Sequence, residues 1–250
     1  MIGKTRSREN MENEIKVREK VLTLKSVNIS EIIRYELEGD PPFFTEKIIP
    51  GRVVDPIRDE ELILRDLTEE LWRMYEGYGI VFKGIGEVTD PSGAEDTILK
   101  AMEMIEWSDR WMGKRDFIKR CVEILKSEAL MPLSIGHGDL STENMIMSRD
   151  GKIYVSDWEL ARQMPIVFDL TGIMSKVPRT RELFKERIDD LAVNNREKNI
   201  LSFQDQHFLS VITVILQWEH SLRYTERIER GKDTFLRKLN NSFGLANEIL

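Results

Sequence analysis

Apolar residues spaced three or four positions apart recur along most of the chain, and this spacing is typical of amphipathic helices. The first helix is expected over residues 10–28, where Val17 and Val21 fall on one face. From Asp59 onward the same spacing returns repeatedly, and its last stretch begins after Ser202. The pattern therefore predicts a chain that is mainly helical.

Two regions depart from helical spacing and predict β-hairpins. Each has two short apolar runs around a polar turn: residues 32–37 and 43–49 form the first hairpin, and residues 144–147 and 153–157 the second. Pro50 and Gly51 are expected to end the second strand of the first hairpin. The glycines at positions 84 and 86 predict a loop between helical segments, because no strand is expected before them.

Composition and charge narrow the kind of protein. Of the 250 residues, 41% are hydrophobic, which is enough to bury a core, and the net charge is −7. A net-negative chain without a long Lys/Arg block is a poor binder of nucleic acids and of anionic membranes. Cys121 is the only cysteine, and the sequence has neither an apolar signal segment nor an apolar stretch long enough to span a bilayer. We expect a cytoplasmic protein with no nucleic-acid or membrane partner.

Three polar residues around the second hairpin have a spacing that suggests chemistry. Asp139 and Asn144 stand on the loop that enters the first strand, and Asp157 ends the second strand. Because the two strands are antiparallel, Asn144 and Asp157 are expected to lie side by side. A carboxylate and an amide oxygen, completed by phosphate and water oxygens, suit a divalent cation such as Mg²⁺. Asp139 would face the same space and remain available to accept a proton from a hydroxyl group.

The residues around this cluster extend the pattern. The sequence contains His137-Gly138-Asp139-Leu140-Ser141-Thr142-Glu143-Asn144, then Asp157-Trp158-Glu159 and Phe168-Asp169-Leu170. This set resembles the aminoglycoside phosphotransferase and choline kinase family, whose members are protein-kinase-like enzymes that phosphorylate small molecules. Such enzymes carry His-Gly-Asp where protein kinases carry His-Arg-Asp. Gly138 in place of arginine, and Trp158 in place of the phenylalanine of protein kinases, therefore argue against a protein kinase.

The resemblance implies both a fold and an activity. The fold would be α+β and protein-kinase-like, with an incomplete β N-lobe at residues 1–51, a hinge at residues 46–51, and a mostly helical C-lobe at residues 52–250 with an inserted catalytic β-hairpin. The activity would be an ATP- and Mg²⁺-dependent phosphotransfer to a hydroxyl of a small molecule, namely an aminoglycoside, an amino alcohol or a sugar. GTP could replace ATP as the nucleotide.

The resemblance also implies a role for each matching residue. Asp139 would be the catalytic base that orients the acceptor hydroxyl. Asn144 and Asp157 would hold Mg²⁺. His137 would brace the catalytic loop, and Asp169 would tie that loop from below.

The nucleotide-binding side of the family pattern is less complete. The backbone of Glu46, Lys47 and Ile48 would meet the adenine, and Glu14 would pair with a phosphate-binding lysine, for which Lys4 is one candidate. The family's glycine-bearing hairpin and lysine-bearing strand are not recognisable before Glu14. We therefore expect a missing N-terminal segment, encoded upstream or supplied by a partner chain.

Two questions stay open from the residues alone. The chain could instead be a non-catalytic pseudokinase or fragment that binds a partner or ligand, because the phosphate-cradling strands are absent. The acceptor is also barely constrained. Trp107 and Trp111 could enclose a quaternary ammonium group through cation–π contacts, or they could pack in the core.

Overall fold

The computed structural model describes residues 8–39, 42–88, 94–224 and 232–250. The chain folds as two compact units. The first combines residues 1–81 with 133–186, and the second combines residues 82–132 with 187–250. The division into lobes at residue 51 stays a prediction.

The first unit begins with helix α1 (Arg8–Leu24). The helix ends earlier than predicted because the chain turns at Lys25, whose φ of 49° is left-handed and interrupts helical hydrogen bonding. Strands β1 (Ile32–Glu36) and β2 (Phe43–Glu46) then pair antiparallel, which confirms the first hairpin.

Strand β2 ends at Glu46 rather than at residue 49. The backbone carbonyl of Lys47, the next residue, accepts a hydrogen bond from the Ser30 hydroxyl rather than from a backbone N–H of β1. The N–H of Lys47 still donates to the Glu31 carbonyl at 2.9 Å, so one backbone bond and one side-chain bond fix the chain just after β2.

A second sheet has the strand order β3 (Gly51–Val53), β6 (Met145–Ser148) and β7 (Ile153–Val155), and all its pairs are antiparallel. The pairing of β6 with β7 confirms the second predicted hairpin. Gly51 begins a strand here, although the sequence predicted only that it ends one. A Cβ atom at Gly51 would lie 2.2 Å from the carbonyl oxygen of Met147. Only glycine therefore allows β3 to approach β6 so closely.

Helices and further strands complete the first unit. They are α2 (Glu60–Leu62), a π-helical turn (Ile63–Leu67), α3 (Thr68–Tyr78), β8 (Arg162–Pro165) and α7 (Ile166–Lys176). Three more elements cross from one unit into the other along the chain: β4 (Val81–Gly84), β5 (Leu130–Gly136) and α8 (Thr180–Asn194). Residues 133–136 of β5 pair antiparallel with β8, so the loop that follows β5 begins at a strand held in place by a sheet.

The second unit is helical. Its elements are α4 (Ile85–Val88), α5 (Ala94–Glu103), α6 (Lys114–Leu125), α9 (Phe203–Tyr224) and α10 (Lys232–Ile249). Helix α9 packs against α5, α6 and α10. The loop predicted around Gly84 is wrong: β4 (Val81–Gly84) runs directly into α4. A four-residue strand is too short for apolar periodicity to identify. Among the helices in the described ranges, none is long and apolar enough to cross a bilayer.

Candidate functional site

The loop after β5 is fixed by the buried side chain of His137. Its Nε2 donates to the carbonyl oxygen of Ser156 at 2.7 Å, and its Nδ1 accepts from the backbone N–H of Asp139 at 3.3 Å. Because a carbonyl can only accept, these two contacts define a neutral imidazole with its proton on Nε2. The ring also packs edge-on against Trp158, with 4.7 Å between centroids. His137 thus connects the loop that carries Asp139 to the chain that carries Asp157.

Asp169 holds the same loop from helix α7. Its Oδ2 accepts from the backbone N–H of His137 at 2.9 Å, and its Oδ1 accepts from that of Gly138 at 2.9 Å. Oδ2 also accepts from the hydroxyl of Tyr75 on α3, again at 2.9 Å. Asp169 is 3% exposed, so these three protein donors take the place of the water molecules that would otherwise solvate its carboxylate.

Tyr75 was not predicted as part of the site. Burial first, and the charge of Asp169 second, raise the pKa of its phenol well above 10.0, so the hydroxyl remains a donor. It lies 94 positions from Asp169 along the chain. The sequence shows it only as one more large residue on the apolar face of α3.

Gly138 has a conformation that other residues rarely adopt. Its φ is 85°, and a Cβ atom would lie 2.4 Å from the carbonyl oxygen of Leu160. Glycine is therefore required between His137 and Asp139 for two reasons, namely its backbone angle and the lack of space for a side chain.

The structure brings Asp139 and Asn144 into direct contact. Asn144 Nδ2 donates to Asp139 Oδ2 at 3.0 Å and to the Asp139 carbonyl oxygen at 2.8 Å. The carboxylate of Asp139 is exposed and can therefore meet a substrate. Because the amide nitrogen of Asn144 points at Asp139, its oxygen points away and is oriented to bind something else.

Asp157 directly follows a residue that is bonded to the backbone of Asn144. Ser156 donates to the Asn144 carbonyl oxygen from both its backbone N–H, at 2.9 Å, and its hydroxyl, at 3.0 Å. Asp157 follows with a left-handed backbone (φ 64°, ψ 59°) that is rare outside glycine. Such conformations in non-glycine residues are concentrated at functional sites.

This donor set fits a magnesium ion. Within the described part of the chain, no group of three or more His, Cys, Asp or Glu side chains could hold a metal ion by itself. One carboxylate and one amide oxygen form an open set, which leaves coordination positions for phosphate oxygens and water, as Mg²⁺ prefers. Asp157 and Asn144 are the residues that could hold it.

The residues predicted to meet the nucleotide lie around α1 and the end of β2. Arg18, which the sequence analysis did not single out, contacts two of them: its Nη1 lies 3.2 Å from Glu14 Oε1, and its Nη2 lies 2.6 Å from Glu46 Oε2. Lys47 donates its backbone N–H to the Glu31 carbonyl at 2.9 Å, and Ile48 is 86% exposed. Lys4 lies outside the described residues.

A cavity of about 660 Å³ adjoins this segment. Its described lining includes Leu22, Ile29, Lys47, Ile48, Arg149 and Tyr154. None of Asp139, Asn144 and Asp157 lines it. The cavity therefore adjoins the segment predicted to meet the nucleotide, whereas the three oxygen-bearing residues, which are the candidates for the chemical step, lie outside it.

The two tryptophans considered for the acceptor belong to an aromatic cluster of the second unit. Trp107 meets Trp111, Phe117 and Phe243 edge-on, at centroid distances of 5.1, 5.4 and 5.4 Å. Its indole N–H donates to the Met112 carbonyl at 3.0 Å. Both tryptophans are half-buried, and the Lys114 ammonium lies 5.9 Å from the centroid of the Trp107 ring. The aromatic contacts favour packing, the second of the two interpretations, at the edge of the core.

Comparison with known proteins gives a consistent result. The sequence profile described as the phosphotransferase enzyme family matches residues 6–197. No curated protein sequence matches the chain.

Solved structures resemble the fold at low sequence identity. A putative aminoglycoside phosphotransferase from Ralstonia eutropha JMP134 has a TM-score of 0.62 at 12% identity, over 96% of this chain and 83% of its own. Choline kinase LicA from Streptococcus pneumoniae has a TM-score of 0.53 at 13% identity, over 95% of this chain and 81% of its own. A mutant aminoglycoside phosphotransferase in a ternary complex with ADP and hygromycin B has a TM-score of 0.52 at 10% identity, over 93% and 82%. The fold is therefore the protein-kinase-like α+β fold that the sequence predicted.

Proposed function

The chain belongs to the phosphotransferase enzyme family, and on this basis we propose that it transfers the γ-phosphate of ATP or GTP to a hydroxyl group of a small molecule. The observation that carries the proposal is the contact between Asp139 and Asn144, with 3.0 Å between Oδ2 and Nδ2. It joins an exposed carboxylate to an amide whose oxygen is directed outward. Phosphoryl transfer depends on such positioning of a base beside a metal ligand.

Asp139 would orient the acceptor hydroxyl and accept its proton. Asn144 holds Asp139 through one hydrogen bond to its carboxylate and one to its backbone carbonyl, and the loop is held by His137 and Asp169. Asn144 and Asp157 would hold Mg²⁺, which, when bound, offsets the negative charge of the transferred phosphate. We assign His137 and Asp169 to positioning, because both are buried and their ring nitrogens and carboxylate oxygens are bonded to the loop and its neighbours.

The nucleotide would lie against the end of β2. The backbone groups of Glu46 and Ile48 are proposed to meet the base, since those of Lys47 are already bonded to Glu31 and Ser30. A similar structure, the aminoglycoside phosphotransferase complex, holds ADP, which supports a nucleotide site in this chain. The acceptor is proposed to be an aminoglycoside, an amino alcohol or a sugar.

The test compares Asp139→Asn with Asp116→Asn, whose carboxylate is exposed at the start of α6. Phosphate transfer from ATP with Mg²⁺ would be measured on a panel of hydroxylated acceptors. Loss of a positioned base should lower turnover about 10²–10⁴-fold, whereas the Asp116 variant should match the parent protein. Equal turnover by both variants would show that Asp139 has another role.

Two further expectations can be examined in the same assay. If no acceptor is phosphorylated but nucleotide raises the melting temperature, the chain is a nucleotide-binding pseudokinase rather than an enzyme. Repeating the assay with upstream coding sequence attached, or with a companion chain, tests the proposed additional N-terminal segment. A cytoplasmic location is proposed from the single cysteine, Cys121, which is buried as a free thiol.

A further inference from the structure

Arg18 is an arginine almost completely removed from water. Its side chain is 3% exposed and lies on α1, one turn after the equally buried Glu14. Nη1 donates to Glu14 Oε1 at 3.2 Å, while Nη2 donates to the Ser30 carbonyl at 2.5 Å and to Glu46 Oε2 at 2.6 Å. The guanidinium also lies over the ring of Phe44, 5.4 Å from its centroid.

This arrangement is difficult to explain by stability alone. Burial of a guanidinium carries a large desolvation penalty, and apolar replacements of buried ion pairs are often as stable. The Arg18 Nε is buried without any hydrogen-bond partner, so the desolvation is not fully compensated. One of its partners, Glu46, is 45% exposed, so the arginine connects the core to a residue at the surface.

The partners of Arg18 are the residues that fix the end of β2. Glu46 is bonded directly, and Ser30 accepts from Arg18 through its carbonyl while its hydroxyl donates to the Lys47 carbonyl. Both bonds from Arg18 come from its Nη2, and the bond of Nη1 to Glu14 fixes the orientation of the planar guanidinium. The carbonyl of Ser30 and the side chain of Glu46 are therefore held at one nitrogen of fixed position.

We propose that Arg18 is a positioning residue for the nucleotide base: it holds the backbone of residues 46–48 in the conformation that receives the base. The inference rests on the proposed function, since it assumes that this segment meets a nucleotide. Arg18 itself does not touch the nucleotide. Its effect is therefore on the affinity for the base and not on contacts with the phosphates.

The experiment measures the dissociation constants of ADP and of adenosine by calorimetry, well below the melting temperature of each variant. Arg18→Lys keeps the charge but has a single nitrogen, which cannot occupy the position of Nη1 beside Glu14 and that of Nη2 beside Ser30 and Glu46 at the same time. We expect both ligands to bind about tenfold more weakly, as for loss of roughly one hydrogen bond to a charged group. Arg120→Lys, which alters the ion pair with Asp205 in the second unit, is the control and should bind both ligands as the parent does.

The outcomes separate the inference from the proposed function. If the parent protein binds neither ADP nor adenosine, the proposed nucleotide site is wrong and the inference falls with it. If the parent binds both and Arg18→Lys binds them equally well, only the inference is wrong. Weaker ADP binding with unchanged adenosine binding would assign Arg18 to the phosphates and also overturn it. Should Arg18→Lys fail to fold, Glu46→Gln tests the same contact from its exposed side, with weaker binding of both ligands expected.

Discussion

Replacing Asp169 by asparagine should loosen the loop that carries Asp139 without changing the shape of the side chain. The carboxylate accepts from the backbone N–H groups of His137 and Gly138 and from the Tyr75 hydroxyl. An asparagine has one acceptor oxygen in place of two. The amide can be oriented in two ways. In the better one, its oxygen accepts from His137 and Tyr75, and its nitrogen faces the N–H of Gly138.

The magnitude follows from those three contacts. A buried N–H left without an acceptor costs about 1–3 kcal/mol. The two remaining hydrogen bonds lose the added strength of a charged acceptor, which is partly offset because the neutral amide is easier to bury. We expect a net loss of about 2–4 kcal/mol in the free energy of unfolding, which is a large part of the stability of a typical domain.

The measurement is urea unfolding followed by circular dichroism, together with turnover. Tyr75→Phe removes one donor and leaves the carboxylate two, so it should cost only about 1–2 kcal/mol. Asp190→Asn, at an exposed position on α8, should stay within about 0.5 kcal/mol of the parent. If Asp169→Asn unfolds at the same urea concentration as Asp190→Asn, the three hydrogen bonds do not stabilise the loop and our account of it is wrong.

Three further predictions concern other parts of the chain. Gly138→Ala should lower the free energy of unfolding by about 2–4 kcal/mol in urea titrations, because strain at positive φ adds to a backbone clash. The control is Gly151→Ala, with φ 79° and open space around it, which should cost only about 1 kcal/mol. Equal costs for the two variants would exclude the clash. The hydrogen bonds from Arg52 hold the pKa of Asp59 below its ordinary 3.8. Their contribution to the free energy of unfolding should therefore be complete above pH 3.8 and be lost as the pH falls through the lowered pKa. Asp59→Asn should remove this part of the acid unfolding profile, and an unchanged profile would contradict the account. Burial raises the pKa of the Cys121 thiol to about 12, so a maleimide at pH 8 should label the chain only in denaturant, and rapid native labelling would show that the thiol is accessible.

The contacts between neighbours in sequence were predictable. Asp139 and Asn144 are five residues apart and are in contact in the structure, and the tight hairpin returns Ser156, the neighbour of Asp157, to the backbone of Asn144. The position of the Asp157 side chain in the site stays a prediction. The α+β, protein-kinase-like fold followed from the residues that extend this motif. In both cases the information lies within a short stretch of chain.

Contacts between distant residues were not predictable. Tyr75 reaches Asp169 through the packing of α3, and no spacing rule connects two such positions in a single sequence. Glu14 and Arg18 illustrate a different limit. Their spacing of four on a helix predicts an ion pair, but such pairs usually face water, and only the tertiary structure shows that this one is buried.

The space around Gly138 also limits how this loop can evolve. An arginine at that position, as protein kinases have it, would need both a different backbone angle and a displaced carbonyl at Leu160. Arginine at position 138 would therefore be tolerated only together with changes elsewhere in the loop and around Leu160. The effect of a residue at this position depends on its surroundings, which makes position 138 epistatic with its neighbours.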